Sequence, residues 1–160
     1  MANDLVIRAA RAEDADAIVN MARALALAVD DPPPLLDAKS LLAAAIGPDR
    51  WGDCLVAEAE SRPVGYVLVC RIFEAHTAQR RLWIADLFVN PEARAAGVGQ
   101  RLMQAVAARA VAQGCDAICW DLWRENRAGE AFYRRLRAEE ITDLAPYRLT
   151  GEALRALAAA

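Results

Sequence analysis

Hydrophobic and polar positions recur along the chain with two different periods, which predict helices and strands. Residues 13–29 bring Ile18, Met21 and Leu25 to the spacing of a helix, with acidic residues near its positive end. Short apolar runs between turn residues predict strands instead. The predicted elements are a strand over 4–9, helices over 13–29 and 37–46, strands over 53–58, 64–73 and 81–90, a helix over 98–113, a strand over 116–123, a helix over 127–136, a strand or hairpin over 138–149 and a short helix over 151–158.

This order of elements predicts an α/β (α+β) fold, in which helices cover the faces of a mixed sheet. It argues against a helix bundle and against a β-sandwich. The strand–helix–strand unit over 81–123 predicts a right-handed parallel crossover. Gly47-Pro48 ends the second predicted helix, and a turn over 61–63 joins the first hairpin.

Composition narrows the class of protein. The chain has 160 residues, so we expect residues 1–160 to form a single domain. A formal net charge of −3 argues against a broad basic surface for nucleic acid. No apolar run approaches the roughly 18 residues of a membrane span, and the first residues do not resemble a signal peptide. We therefore expect a cytoplasmic protein that binds neither nucleic acid nor membrane.

The cysteines do not predict a metal site. In a cytoplasmic protein they are expected to be reduced, and Cys115 and Cys119 have a spacing that is unusual for zinc. His76 is the one histidine that could complete such a site, so no metal is expected. Lys39 is the single lysine among 19 basic residues, which is typical of a GC-rich bacterial genome.

Candidate chemistry is concentrated between the strand over 81–90 and the helix that follows it. Gly97 and Gly99 allow close approach of the backbone to a ligand and unusual dihedral angles. The first amides of the helix have no partner within it, and Arg94 and Arg101 can add charged contacts to phosphate. The junction therefore predicts an anion site, with an ordinary glycine turn and solvated arginines as the alternative.

Two common phosphate motifs are excluded at this junction. No G-K-[ST] follows the glycines, and Leu102 stands where a dinucleotide fingerprint needs glycine. The pattern R-x-x-G-x-G over 94–99, after Val89-Asn90-Pro91-Glu92, instead resembles the acetyl-CoA signature of the GCN5-related N-acetyltransferase (GNAT) family.

A second segment supports the same resemblance. Asn126 precedes Phe132 and Tyr133 at the spacing of that family's downstream motif, and the similarity extends over residues 4–156. The C-terminal half is most similar to the polyamine and diamine acetyltransferase branch. The resemblance implies a twisted, mostly antiparallel sheet of six or seven strands, with helices on both faces and two central parallel strands that splay apart.

The resemblance also implies acetyl-CoA as cosubstrate, with its pantetheine arm in the gap between the splayed strands. A backbone amide over 87–89 would polarise the thioester carbonyl. Tyr133 would be the general acid that protonates the departing thiolate. The residues implied to contact acetyl-CoA are Leu87, Phe88, Val89, Arg94, Ala95, Ala96, Gly97, Val98, Gly99, Gln100, Asn126, Phe132 and Tyr133.

The general base is less clear, because the sequence departs from the branch at Ala85. Members often carry an acidic pair in the long strand, whereas this chain has Ala85-Asp86. Asp86 and His76 are the candidate bases, since histidine serves this role near neutral pH. Glu74 and Asp121 are further carboxylates near the predicted site. Arg137 is a second departure, because the usual turn there is Leu-Gly.

These observations predict an N-acetyltransferase. It would transfer the acetyl group of acetyl-CoA directly to a primary amine of a small molecule, through a tetrahedral intermediate. Acetylation of a protein N-terminus or lysine is one alternative, and a non-catalytic acetyl-CoA-binding sensor, suggested by Ala85, is another. A homodimer is expected, because many members of the family pair through edge strands and their C-terminal segment.

Overall fold

The structure of the protein is a computed structural model that describes residues 5–159, apart from the side chain of Ala95. The predicted start of the first strand at Asp4, and any contact of the Ala95 side chain, lie outside the described residues. Two compact units meet in sequence between Trp123 and Arg124. The strands are β1 (Val6–Ala9), β2 (Asp53–Ala59), β3 (Arg62–Glu74), β4 (Gln79–Val89) and β5 (Ala117–Trp120), and the helices are α1 (Ala15–Ala28), α2 (Ala38–Leu41), α3 (Val98–Ala112), α4 (Arg127–Arg135) and α5 (Gly151–Ala158).

The first unit is built on one sheet with the order β1-β2-β3-β4-β5. The first three pairings are antiparallel, and β4 pairs with β5 in parallel. This confirms a mixed, mostly antiparallel sheet with a parallel crossover through α3. The described chain contains five strands rather than six or seven, so the predicted strand count is wrong. For the same reason, β5 lies at the edge of the sheet and not at its centre.

The predicted strand over 138–149 is absent from the second unit. Arg137 adopts a left-handed conformation with φ 62° just after α4, and residues 139–150 are exposed. A strand needs a neighbour to accept its backbone hydrogen bonds, and none of the five described strands pairs with this segment. Pro146 would also remove one donor from any ladder. The segment therefore runs without regular structure until α5, whose prediction is confirmed.

Helices cover both faces of the sheet, as predicted. On one face, Ile18 of α1 joins Val56, Tyr66 and Phe88 in an apolar cluster that also includes residues of α2. On the other face, α3 buries Val98, Leu102 and Val106. A Cβ added at Gly65 of β3 would lie 3.4 Å from the Leu102 side chain, which shows how closely α3 packs on the sheet. The two faces thus hold separate sets of buried side chains.

Local signals explain most element boundaries. The Asp37 carboxylate accepts a 2.7 Å hydrogen bond from the Ser40 amide and caps α2. A π-helical segment over Leu42–Ile46 continues α2 and ends at Gly47, as predicted. The hairpin turn between β2 and β3 lies one residue earlier than predicted, because Glu60 and Ser61 carry the positive φ angles of 50° and 60° that such a turn requires.

Candidate active site

β4 carries a β-bulge at Ala85, where the resemblance indicates a missing acid. Leu68 of β3 pairs with Asp86, and the next residue, Val69, pairs with Ile84. Ala85 is therefore the extra residue on β4, and it is exposed. A bulge shifts the alternation of side chains by one residue, so it changes which β4 side chain lies on each face.

The bulge turns Asp86 to the face on which Trp83 lies. Trp83 pairs with Cys70, and Asp86 pairs with Leu68. Cys70 and Leu68 are two residues apart on β3, so they and their partners share one face of the sheet. This is the face that α1 covers. Without a bulge, simple alternation would put Ala85 next after Trp83 on this face. The bulge therefore places the Asp86 carboxylate on a face where the sequence predicts no acid.

Asp86 is partly buried, and its surroundings favour its neutral form. Burial raises the pKa of Asp86 above its ordinary value, while a hydrogen bond from the Tyr66 hydroxyl to Oδ2, at 3.4 Å, acts in the opposite direction. Burial also raises the pKa of the nearby Cys54 thiol to about 12. A carboxylate with a raised pKa is a stronger proton acceptor, so the shift suits Asp86 to accept a proton.

β4 pairs with β5 over only a short ladder. Residues 81–84 of β4 pair with residues 117–120 of β5, and the pairing ends at Ile84 and Trp120. Over 85–89, the described chain places no strand on this side of β4. Half of β4 therefore presents an open backbone edge.

The register identifies which amides face this open edge. The Asn90 amide donates to the Val64 carbonyl of β3 at 2.9 Å. Hydrogen-bonded and non-hydrogen-bonded pairs alternate in an antiparallel ladder. The backbone N–H and C=O groups of Phe88 therefore also bond to β3, whereas those of Leu87 and Val89 point away from it. Leu87 and Val89 thus offer two N–H groups at the open edge. Phe88 contributes none, and its side chain lies in the core.

Arg94 ties the loop after β4 back onto the end of that strand. Its Nε donates to the Val89 carbonyl at 3.0 Å, and its guanidinium carbon lies 5.7 Å from the centroid of the Phe88 ring. The loop over Pro91–Ala96 is a 3-10 helical segment. Arg94 therefore brings a positive charge to the exposed loop while it holds the loop on β4.

Gly97 makes the turn from this loop into α3. Its φ of 73° is left-handed, and no described atom beyond its chain neighbours lies within 4 Å of the position where a Cβ would be. The first hydrogen bond into the helix runs from the Arg101 amide to the Gly97 carbonyl, so the amides over 98–100 have no helical partner. Free amides at the start of a helix are the groups that an anion can bind. Gly99 is already helical, so its predicted unusual dihedral angles are wrong.

In the second unit, Asn126 and Tyr133 belong to α4. The Asn126 side-chain oxygen accepts a 2.8 Å hydrogen bond from the Gly129 amide and caps the helix. Tyr133 is half-buried, and its ring centroid lies 5.1 Å from that of Phe132. Desolvation raises the pKa of Tyr133, which keeps its hydroxyl protonated at neutral pH. A protonated hydroxyl is the state that a general acid requires.

Comparison with known proteins decides the family. The family model of the acetyltransferase (GNAT) family matches residues 17–137. The chain belongs to the GNAT acetyltransferase family. It is an enzyme that transfers acetyl groups, and acetyl-CoA is the cosubstrate of this family. The resemblance drawn from the two sequence motifs is confirmed.

Relatives extend this assignment over nearly the full chain. The thialysine N-epsilon-acetyltransferase of Sus scrofa is 30% identical over 170 aligned residues, covering 96% of this chain and 97% of the relative. The L-ornithine N5-acetyltransferase of Arabidopsis thaliana is 31% identical over an alignment that covers 69% of this chain and 45% of the relative. An integron cassette protein from the mobile metagenome of V. cholerae shares the fold, with a TM-score of 0.82 and 21% identity. The superposition covers 99% of this chain and 100% of that protein.

Other predicted bases of this GNAT enzyme lie elsewhere in the first unit. His76 is exposed in the turn between β3 and β4. Asp86 lies far along β4 from this turn, and at a strand rise of about 3.3 Å per residue the two residues are roughly 20 Å apart. Glu74 precedes that turn and pairs with Arg81 at 3.0 Å. Asp121 is exposed beyond the end of β5. The structure therefore does not bring His76 or Glu74 to Asp86.

None of the helices in residues 5–159 is long and apolar enough to cross a membrane. In the same part of the chain, no three His, Cys, Asp or Glu side chains come together in a way that could hold a metal ion. The contact between Tyr66 and Asp86 was not predicted from the sequence, because it becomes apparent only once the β3–β4 register is known.

Proposed function

We propose that this enzyme transfers the acetyl group of acetyl-CoA to a primary amine of a small molecule. The observation that carries the proposal is the partly buried Asp86 beside the open edge of β4. The relatives support a small acceptor, because their names give thialysine and L-ornithine as substrates. Both compounds are amino acids with a side-chain amine, so diamino acids and diamines are the acceptor class that we favour.

Residues on β4 and α3 would hold the cosubstrate. The amides over 98–100 and the Arg94 guanidinium suit the pyrophosphate of acetyl-CoA, and Gly97 lets its backbone come close to it. The N–H groups of Leu87 and Val89 suit the pantetheine arm and the thioester carbonyl. A preorganised N–H at that carbonyl would stabilise the negative charge that develops on its oxygen.

The acceptor amine must lose a proton before it can attack. Alkyl amines have a pKa of about 10 and are protonated near neutral pH. Asp86 would accept that proton, directly or through one water molecule, and the neutral amine would attack the thioester carbon. The tetrahedral intermediate would collapse with release of the thiolate, which Tyr133 would protonate. The nitrogen would lose its second proton as the amide forms, and this proton would restore the Tyr133 hydroxyl through solvent, while Asp86 releases its own proton to solvent. The motif from Asn126 to Tyr133 supports this assignment of Tyr133.

Tyr133→Phe tests the proposed acid. The substitution keeps the ring and removes the proton donor, so we expect kcat to fall about 100-fold, with acetyl-CoA affinity changed less than about threefold. Steady-state kinetics and calorimetric titration measure the two quantities. Tyr147→Phe is the matched control, because it removes a phenol hydroxyl from a side chain that is 97% exposed. Full turnover by Tyr133→Phe would remove Tyr133 from the mechanism.

A panel of acceptors tests the substrate class. Purified enzyme is supplied with acetyl-CoA, and release of CoA thiol is measured with thialysine, ornithine, lysine, diamines, polyamines and short peptides. We expect kcat/KM for diamino acids or diamines to exceed that for peptides by at least about tenfold, which corresponds to about 1.4 kcal/mol of discrimination. Activity on peptides alone would favour the N-terminal or lysine alternative. Acetyl-CoA binding without turnover on any amine would favour the sensor.

Two broader features belong to the same proposal. We propose that the two units make up one acetyltransferase domain, because the family match over 17–137 includes parts of both. We also propose a cytoplasmic location. All four cysteines are free thiols, which is typical of reducing compartments.

A homodimer is the assembly that we propose. In the second unit, Leu144, Leu154 and Leu157 are 68%, 52% and 67% exposed, and a chain of this kind gains by burying such side chains against a second copy. We expect sedimentation equilibrium at micromolar concentration to give twice the mass of the chain. A single species of monomer mass under those conditions would contradict the dimer.

A further inference from the structure

Tyr66 is a buried tyrosine whose ring belongs to the core and whose hydroxyl reaches Asp86. The residue is 2% exposed, and its ring packs in the cluster that contains Val56, Phe88 and Ile18. Its hydroxyl lies 3.4 Å from Oδ2 of Asp86. The ring alone would satisfy the packing, so the hydroxyl calls for a separate explanation.

A hydroxyl in this cluster is costly unless it forms a hydrogen bond. Burying an unpaired hydroxyl costs roughly 1–3 kcal/mol in proteins. In the described chain, the hydrogen bond that engages the Tyr66 hydroxyl is the one to Asp86. A phenol donates to a carboxylate, so this contact holds one carboxylate oxygen of Asp86 and leaves the other oxygen to act.

We propose that Tyr66 is a positioning residue, which orients Asp86 and favours its ionised, proton-accepting form. The inference rests on the proposed role of Asp86 as the base that receives the proton of the amine. It adds to that role a second residue on the neighbouring strand β3, joined to Asp86 through a single hydrogen bond.

Among the groups around Asp86, the Tyr66 hydroxyl is the one that favours the ionised form of Asp86. Cys54 on β2 and Cys70 on β3 are the other titratable groups that interact with Asp86, and burial raises the pKa of both thiols, so they remain neutral. The apolar helical residues packed against this face are Ala15, Ile18, Val19, Met21 and Ala22 from α1, and Leu41 from α2. The buried carboxylate of Asp14, just before α1, also acts on Cys54 and is paired with Arg8. Burial raises the pKa of Asp86, and the Tyr66 hydrogen bond lowers it.

Tyr66→Phe separates the hydroxyl from the ring. Without the hydrogen bond, the pKa of Asp86 rises, and a larger fraction of the base is protonated at low pH. We expect the acidic limb of the kcat/KM profile to move up by about one pH unit, so that activity on that limb falls about tenfold. Activity at pH 9 should stay within about threefold of the wild-type value. A loss caused by poor packing would lower both values equally.

The control is Thr77→Val at the hairpin turn. The Thr77 hydroxyl donates to a Glu74 carboxylate oxygen at 3.4 Å, the same distance as in the Tyr66–Asp86 contact. This variant therefore removes a matched hydroxyl–carboxylate bond far from Asp86, and its pH profile should equal that of the wild type. Thermal unfolding confirms that both variants are folded.

A double variant separates this inference from the proposed base. In an Asp86→Asn background, Tyr66→Phe should change the residual rate less than about twofold at every pH, because the titrating group is gone. Full activity of Asp86→Asn would overturn the base and the inference with it. Loss of activity in Asp86→Asn, together with an unchanged acidic limb in Tyr66→Phe, would overturn the inference alone.

Discussion

Replacing Asp86 with asparagine is expected to lower kcat by about 10²–10⁴-fold, the usual contribution of a general base. Asparagine has nearly the same shape as aspartate but cannot accept a proton from an ammonium group. The amides over 98–100 and the amides of Leu87 and Val89 are unchanged, so acetyl-CoA affinity should stay within about twofold of the wild-type value. Steady-state kinetics and calorimetric titration measure these effects.

The same substitution should stabilise the protein at high pH. Burial raises the pKa of Asp86 in the folded state, so the folded protein favours the protonated carboxyl. The stability that this provides is present below the unfolded-state pKa and is lost as pH rises through the folded-state pKa. Asparagine stays neutral and avoids that loss, so Asp86→Asn should unfold at a higher temperature than the wild type at pH 8.

This pair of results distinguishes catalysis from folding. An inactive variant that is more stable than the wild type has lost a functional group and not its structure. Asp49→Asn, on an exposed turn, is the control and should alter neither rate nor stability by more than about 0.5 kcal/mol. An Asp86→Asn enzyme with wild-type turnover on the best acceptor would show that another group takes the proton.

Replacing Arg8 with methionine is expected to destabilise the fold by about 3–5 kcal/mol, because it leaves a buried carboxylate without its cation. Arg8 donates two hydrogen bonds to Asp14, at 2.7 and 2.9 Å, and its Nε donates to Glu58 at 2.9 Å. Asp14 is 3% exposed. The three residues join β1, the turn before α1 and β2. Chemical denaturation measures the change in the free energy of unfolding.

The pH dependence of stability provides a second readout of this network. The Arg8 guanidinium holds the pKa of Asp14 below its usual range in the folded state. The resulting stability is present above the unfolded-state pKa and is lost as pH falls through the folded-state pKa. We expect the wild type to lose this contribution in acid, and Arg8→Met to lack it at every pH.

Arg62→Gln is the matched control for Arg8→Met. It breaks an ion pair with Glu60 whose side chains are 78% and 87% exposed, at 3.8 Å, so its effect should stay below about 1 kcal/mol. Equal destabilisation by both variants would mean that burial of Asp14 does not govern the energy of its pairing with Arg8.

Sequence periodicity predicted the elements whose faces are half buried. α1, α3 and the β2–β3 hairpin lie within a few residues of their predicted bounds, because their apolar residues repeat with the period of the element that they form. The prediction of a strand over 138–149 was wrong, because apolar spacing alone does not provide a neighbouring strand with which to pair. Arg137 adopts a left-handed φ of 62° at the position where the family usually has glycine, so the turn is retained without the usual residue.

The candidate site was predicted in part. The glycine junction was located correctly, because a glycine before a helix has a local physical signature, and Gly97 shows the expected left-handed φ of 73°. The β-bulge was not predictable, because an extra residue at Ala85 leaves no trace in the alternation of one strand. Its consequence for Asp86, and the contact with Tyr66, depend on the register between two strands. His76 seemed a suitable base by chemistry, but the length of β4 separates it from Asp86.

Transfer of an acetyl group from acetyl-CoA to a small primary amine is the activity that we propose for this enzyme. The most direct test incubates wild-type enzyme with acetyl-CoA and thialysine, and follows both products by mass spectrometry and thiol release. We expect one acetylated amine for each CoA released, with the acetyl group on the side-chain amine and with at least about a hundredfold loss of rate in Asp86→Asn. Release of CoA without an acetylated amine, across the whole acceptor panel, would contradict it.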